Sequence, residues 1–291
     1  GQRVRYLAEA KRFDDAVNAA RECVAREWWC QALQGFALHL AQRYEEADSA
    51  YERAVARMDQ RARCEWRDLK LLVDDDQLRR YRERDCAGRL ALEKKIWLLA
   101  KPMFSGRGND ARTEYYSRLM MALFLEDAPS AYVMGFDFDE RELTLRYGWP
   151  RAWTRDNRPV PIGAQPGVVG HEPTPAHPFL PARGVLDNPA RSDSAGWRTK
   201  GIPPVLARYA PAYAKRLLAL EHQAGLFRRG DTAMVVVAWS VAGDTALAAA
   251  AGANQLTASM VLTTGDEGDA TMVRAEKPGL RGTLTARSPW G

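Results

Sequence analysis

Residues 28–58 read WWCQALQGFALHLAQRYEEADSAYERAVARM, and this stretch decides the architecture of the first part of the chain. Small or apolar residues recur at Gly35, Leu38, Tyr44, Ala47, Tyr51 and Ala54, a spacing near one helical turn, so the sequence predicts two amphipathic helices parted just before Tyr44. Upstream, YLAEAKRFDDAVNAARECV at residues 6–24 repeats the pattern through Leu7, Phe13, Ala16, Val17, Ala20 and Val24. Small residues let paired helices approach closely, and aromatic residues fill the space between successive pairs.

These offsets resemble the tetratricopeptide (TPR) consensus. Gly35 takes the small-residue position of the first helix, Ala47 and Ala54 those of the second, and Tyr51 its aromatic position. Phe13, Ala16 and Cys23 match in the first unit. The resemblance implies helical hairpins that bind peptides or neighbouring subunits. Two units are fewer than the three usually needed for stability alone, so the region 1–58 should dock on the segment C-terminal to it.

Composition narrows the rest. The 291 residues are 46% hydrophobic and 27% charged, an ordinary globular mixture that excludes wholesale disorder or a collagen-like fibre. The net charge is +5, yet its signs alternate along the chain, whereas a nucleic-acid footprint would gather them on one face. Residues 233–253, AMVVVAWSVAGDTALAAAAGA, approach membrane-spanning length. The central Asp244 costs about 2.5–3.5 kcal/mol on insertion, and alanine offsets almost none of it. The expectation is a strand followed by an Ala-rich turn, with no transmembrane segment and no nucleic-acid partner. The chain opens on Gly1, and no signal peptide is visible in it.

The four cysteines, Cys23, Cys30, Cys64 and Cys86, all lie in the first third. No CxxC pair is present and His39 is the only nearby histidine, which argues against zinc. Cys23 should close one helix and Cys30 open the next, while the segment between Cys64 and Cys86 could fold back on itself. Four buried thiols are one reading. Two disulfides, 23–30 and 64–86, are the other, and they would imply an oxidising compartment.

Residues 59–157 alternate apolar positions with dense Arg, Asp and Glu and should be largely helical, with a break at Lys101 and Pro102 and the adjoining SGRGND loop. A helix should start near Asp110, capped by Asn109 or Asp110, and ELTLRYGWP at residues 142–150 should form a short strand. This segment resembles the GWxTD family, a bacterial group whose members carry an aromatic-Trp pair, a Leu-x-x-Pro turn, an Asn-Glu loop, a Glu-Tyr-x-x-Arg helix and a strand ending in Tyr-Gly-x-Pro. Here those positions are Ile96 and Trp97, Leu99 with Pro102, Asn109 and Asp110, Glu114 and Tyr115 with Arg118, and Tyr147, Gly148, Trp149 and Pro150. Asp110 stands where the family has Glu, and the string GWRTK at residues 196–200 lies outside the pattern. The closer match is to TPR-containing relatives of this family that look exported, which implies a cell-envelope or periplasmic protein.

Residues 158–212 are rich in Pro and Gly and should form a linker or a surface arm, with Phe179, Leu180 and Trp197 as apolar anchors. Residues 213–291 should be an antiparallel β-module with strands at 232–241, 256–264, 271–275 and 280–287, entered through the RRGD turn at 228–231. Apolar residues occupy both faces of the first strand, Val235, Val237 and Trp239 against Met234, Val236 and Ala238, so both faces should be covered. Four strands are too few for a sandwich of about seven. The arm should therefore shield one face, and a partner chain or further sequence should shield the edge. The expected fold class is α+β, with TPR-like hairpins, a helical middle segment, the arm and an incomplete β-sandwich.

Asp110 and Glu114 lie one turn apart on one helical face, with Arg118 a turn further. They could act as acid and base in a hydrolase or hold a hard cation. They could equally stabilise a helix start with a Glu–Arg pair on its side. His171, Glu172 and His177 do not form HExxH and sit in Pro-rich sequence. No GxSxG elbow, Walker loop or GxGxxG appears, and the acidic runs lack EF-hand spacing. The sequence thus points to a non-catalytic scaffold or assembly subunit without a cofactor. It would bind other protein subunits through Trp28, Trp29, Phe179 and Trp197.

Overall fold

The computed structural model describes residues 1–73, 75–104, 108–126, 136–149, 152–155, 159, 161–162, 168–171, 177–193, 195–197, 207–211, 213, 220–253, 256–263 and 270–289. They form an α+β protein of two compact units, Gly1–Arg216 and Leu217–Gly291.

The first unit opens with two helical hairpins, α1 (Gln2–Glu9) with α2 (Phe13–Arg21) and α3 (Glu27–Leu40) with α4 (Tyr44–Ala56). Both first helices end the same way. Lys11 and Gln42 adopt φ of 60°, Arg12 N–H donates to Leu7 O, and Arg43 N–H donates to Leu38 O, each at 2.9 Å. This left-handed stop satisfies carbonyls left over at a helix end and releases the chain into the next helix two residues later. The two stops, like Phe13 and Tyr44, stand 31 residues apart in the sequence. Inside the second hairpin a Cβ on Gly35 would lie 2.9 Å from the Tyr51 ring, so only a glycine permits this approach of α3 to α4.

Helices α5 (Gln60–Trp66), α6 (Asp75–Arg82), α7 (Cys86–Phe104), α8 (Asp110–Glu126) and α9 (Phe138–Tyr147) come next. Two disulfides brace the first three of these and the hairpins. Cys23 joins Cys30 across the α2–α3 turn, and Cys64 of α5 joins Cys86 at the start of α7, with Cα separations of 5.5 and 5.8 Å. Helix α8 is the centre of the unit, packed by α3, α4, α7 and α9 and buried from Asp110 to Leu125 except at Arg112 and Leu123. A helix enclosed on all sides needs no amphipathic stripe. Its side chains join an aromatic core in which Trp97 contacts Tyr115 at 5.6 Å and Tyr51 contacts Tyr116 at 5.1 Å between ring centroids.

Helix α9 corrects the expected strand at 142–150. Asp137 and Glu140 form a reciprocal capping box, Glu142 and Arg146 pair one turn apart at 2.6 Å, and Gly148 at φ 83° ends the helix. These local hydrogen bonds outweigh the strand-like alternation of LTLRY. Beyond it lie the antiparallel pair β1 (Ala152–Arg155) and β2 (Val168–His171), then β3 (His177–Pro178), α10 (Arg183–Asp187), a 3-10 turn at Pro189–Arg191, and β4 (Arg208–Tyr209), which pairs with β3. The described part of 177–209 is not a surface arm at Phe179, Leu180, Val185, Leu186 or Tyr209. All five are buried within the first unit, where Phe179 meets Trp97 at 6.0 Å and Tyr209 at 5.8 Å. Phe179 is therefore spent on the helical core, not on shielding a β-module.

In the second unit β5 (His222–Arg229), which the sequence reading missed, and β6 (Thr232–Ser240) form a hairpin through Gly230 and Asp231, with Gly230 at φ 59°. RRGD is thus the turn between two strands. Helix α11 (Thr245–Gly252) replaces the expected Ala-rich turn because Asp244 accepts hydrogen bonds from Ala246 and Leu247 N–H, capping a run of strong helix formers. A second hairpin, β7 (Thr257–Thr263) with β8 (Ala270–Glu276), precedes β9 (Arg281–Pro289), which pairs with β6 in the order β5-β6-β9. Residues 234–239 of β6 are only half-buried, so neither face is sealed as expected. Among the described residues β9 has no ladder on its outer side, although β8 lies alongside it.

Candidate functional site

The residues that the sequence placed on one face of a helix lie at the heart of the first unit. Asn109 caps α8 by accepting from Arg112 N–H at 3.1 Å, and its amide donates to Trp97 O at 2.9 Å. Gly108 before it, at φ 70°, approaches α4 so closely that a Cβ would lie 2.7 Å from the backbone of Tyr44 and Glu45. Helix α8 thereby starts flush against α4, and Asp110, Thr113, Glu114, Ser117 and Arg118 form one polar stripe along it, all buried.

Glu114 accepts from Arg118 Nε at 2.6 Å and from His39 Nε2 at 2.7 Å, one bond to each carboxylate oxygen. Arg118 also donates to Leu145 O at the end of α9 (3.0 Å) and to Arg208 O of β4 (2.7 Å), while its guanidinium lies 4.7 Å from the Phe179 ring centroid. His39 Nδ1 lies 2.9 Å from the Thr113 hydroxyl, and Ser117 meets the Tyr51 hydroxyl at 2.9 Å. Burial alone would raise the Glu114 carboxyl, but the Arg118 charge and the bond from His39 hold it well below the ordinary carboxylate range.

Asp110 stands apart from this pair. It is fully buried and accepts at one oxygen from the Tyr209 hydroxyl at 3.3 Å and from the Tyr213 hydroxyl; its other oxygen has no partner among the described residues. Burial pushes its carboxyl above the usual range despite the two tyrosine hydroxyls. Tyr213 packs edge-on against Tyr44, and Tyr44 against His39.

The geometry limits the chemistry available. Glu114, His39 and Thr113 have the connectivity of a carboxylate–imidazole–hydroxyl relay. Thr113 is fully buried in the middle of a helical face, however, and no substrate can meet its oxygen without opening the core. Asp110, Glu114 and Arg118 are brought onto one stripe but not into one acid–base pair. Each partner of the Glu114–Arg118 pair is already engaged by protein atoms, the arrangement of a structural ion pair.

The sequence reading did not single out His39, Tyr209 and Tyr213. His39 lies one turn beyond Gly35 on the inner face of α3, a visible signal. Tyr209 and Tyr213 reach Asp110 across 99 and 103 residues, and nothing local announces that contact. Of the expected partner-binding residues, Phe179 is wholly buried and unavailable to a partner. Trp28 and Trp29 are half-buried, set edge-on to Trp66 at 5.6 Å and Phe124 at 5.9 Å respectively, and Trp197 packs against the same core. Glu172 lies outside the described residues, His177 is buried on β3, and no group of three metal-ligating side chains occurs among the described residues. No described helix is long and apolar enough to cross a membrane. Compared with protein families, characterised proteins and solved structures, the chain matches none.

Proposed function

We propose that this chain is a non-catalytic scaffold or assembly subunit of an exported or cell-envelope complex, and that it binds partner proteins through its TPR-like hairpins and its β-unit. The observation that carries the reading is the use of the polar stripe on α8. Both oxygens of Glu114, both ring nitrogens of His39 and all three nitrogens of Arg118 are directed at protein atoms, so these groups of the stripe, Asp110 apart, hold helices and strands together. Two disulfides support an oxidising compartment, where such bonds persist. Exposed Leu226 and Phe227 on β5 support a surface that meets another chain. The likeness of the Trp97, Asn109, Glu114 and Arg118 pattern to TPR-containing GWxTD relatives supports the bacterial envelope as its setting.

Cross-linking in native envelope fractions, followed by purification and mass spectrometry, tests the proposal. A defined partner in fixed stoichiometry supports it. A partnerless monomer with a hydrolytic turnover that Glu114→Gln abolishes, at unchanged stability, overturns it.

A further inference from the structure

Strand β5 forms one edge of the three-stranded sheet, and every residue from His222 to Arg229 is exposed except half-buried Gly225. It pairs with β6 in unbroken register from His222 opposite Trp239 to Arg229 opposite Thr232. It carries no proline, lysine or bulge, the devices that blunt a free edge. Among the described residues no strand other than β6 is hydrogen-bonded to it, whereas the opposite edge strand, β9, has β8 alongside.

The hairpin fixes which main-chain groups face outward. Gly230 and Asp231 form a two-residue turn, so Arg229 and Thr232 are a hydrogen-bonded pair. Bonded and non-bonded pairs alternate along an antiparallel ladder, so Arg229, Phe227, Gly225 and Gln223 bond to β6. His222, Ala224, Leu226 and Arg228 therefore turn their N–H and C=O groups away from the sheet. That row of alternating donors and acceptors is matched by an added strand.

We propose that β5 pairs antiparallel with β5 of a second copy of this chain, about a two-fold axis at Gly225. The inference rests on the scaffold reading and names what the β-unit meets. The outward groups restrict self-pairing to registers that set even-numbered residues against even-numbered ones. With Gly225 facing itself, Leu226 lies opposite Ala224 of the second copy and Arg228 opposite His222. Exposed Glu221 then faces Arg229 of the second copy, once at each end of the ladder. A two-residue shift one way sets Glu221 against Asp231, a like-charge pair; the other way sets Phe227 against Glu221 and shortens the ladder. Glycine suits the axis, where any side chain would meet its own copy. The Phe227 ring already lies over it, 3.0 Å from where a Cβ would stand. Leu226 and Phe227, exposed on opposite faces of β5, both come to lie against the second copy. The same edge is used twice, so assembly closes at two chains.

Sedimentation velocity on the full, oxidised chain from about 5 to 200 µM tests this, a range suited to so small an interface. A monomer–dimer equilibrium is expected. Glu221→Arg and Arg229→Glu should each weaken it roughly tenfold, because two opposite-charge pairs per dimer become like-charge pairs. Mixing the two variants should restore a dimer, since each supplies the charge that the other lost. Gly225→Cys should give a disulfide-linked dimer on mild oxidation and Gln223→Cys should not. Only position 225 faces itself, with Cα atoms about 4.5 Å apart as in any non-bonded pair. Residues 221, 223 and 229 are exposed, so circular dichroism of those variants should be unchanged. A monomer throughout the range, single variants that dimerise like the parent, a mixture that stays monomeric, or polymers beyond two chains overturn the proposal. In envelope cross-linking, a different partner recovered without a second copy refutes the pairing and leaves the scaffold reading standing. Recovery of neither refutes both.

Discussion

Helix α8 and strand β6 are both largely apolar in sequence and reach very different degrees of burial. Around α8, Trp97, Tyr51, Tyr115, Phe36, Phe179 and Met120 are almost wholly enclosed. Among the described residues of the second unit the buried apolar ones are Ala233, Val241, Ala251, Leu284 and Ala286, all small or modest, while Leu226 and Phe227 stand 60% and 55% exposed. The difference lies in what each element packs against. Helix α8 is ringed by four helices and crossed by hydrogen bonds from distant segments, whereas the sheet rests mainly on its own ladders. Apolar content licenses burial but does not supply the second layer.

Arg118→Met should have the largest effect of any change considered. It leaves Glu114 charged, buried and paired only with His39, a loss of about 3–5 kcal/mol, read by urea unfolding with tryptophan emission. A loss below about 1 kcal/mol would erase the contrast between the two regions, since that is the size expected of an exposed pair. Replacing Cys64 and Cys86 together by Ala should cost about 3 kcal/mol, for a bridge spanning 22 residues. Gly35→Ala should cost about 1–3 kcal/mol, because the added methyl meets the Tyr51 ring and α3 must part from α4. Val236→Ala on half-buried β6 should cost less than about 1 kcal/mol, since only part of its area leaves water on folding.

A pH series sharpens the comparison within α8 itself. Asp110 is raised by burial, so the folded state holds its proton more tightly than the unfolded chain. Its contribution is complete below the ordinary carboxylate range and is lost as the pH rises through the raised value. Asp110→Asn removes that dependence, and its stability relative to the parent protein should therefore increase from about pH 4 to about pH 7. Glu114, held low, does the reverse: its contribution is present above the ordinary carboxylate range and fades as the pH falls. A parallel pair of stability curves for Asp110→Asn and the parent would refute the raised value.

The hairpins and both disulfide pairings could be read in the sequence because their signals are local. Gly35 and Tyr51 lie one hairpin apart, and Cys23 and Cys30 flank a short turn. The start of α8 was equally legible in Asn109 and Asp110. The errors at α9 and α11 arose where a cap was present but not read as one, Asp137 with Glu140 in one case and Asp244 in the other. Strand β5 was missed because HQAGLFRR has little alternation, and its pairing with β6 is set by the neighbouring strand. At the candidate site the face shared by Asp110, Glu114 and Arg118 followed from helical spacing alone. Its partners did not, for His39 comes from 75 residues before Glu114 and Tyr209 from 99 residues after Asp110.

The bond from Arg118 to the carbonyl of Arg208 spans 90 residues, and Phe179 and Tyr209 complete the aromatic core from the same late stretch of chain. During synthesis at about 5–20 residues per second, helix α8 therefore waits roughly 5–20 s for the strand whose carbonyl takes the last bond of Arg118. Contacts of such high order are made late and slowly. Until then α8 rests only against α3, α4, α7 and α9, the helices made before that strand, and its face toward Phe179 and Tyr209 is still open to water.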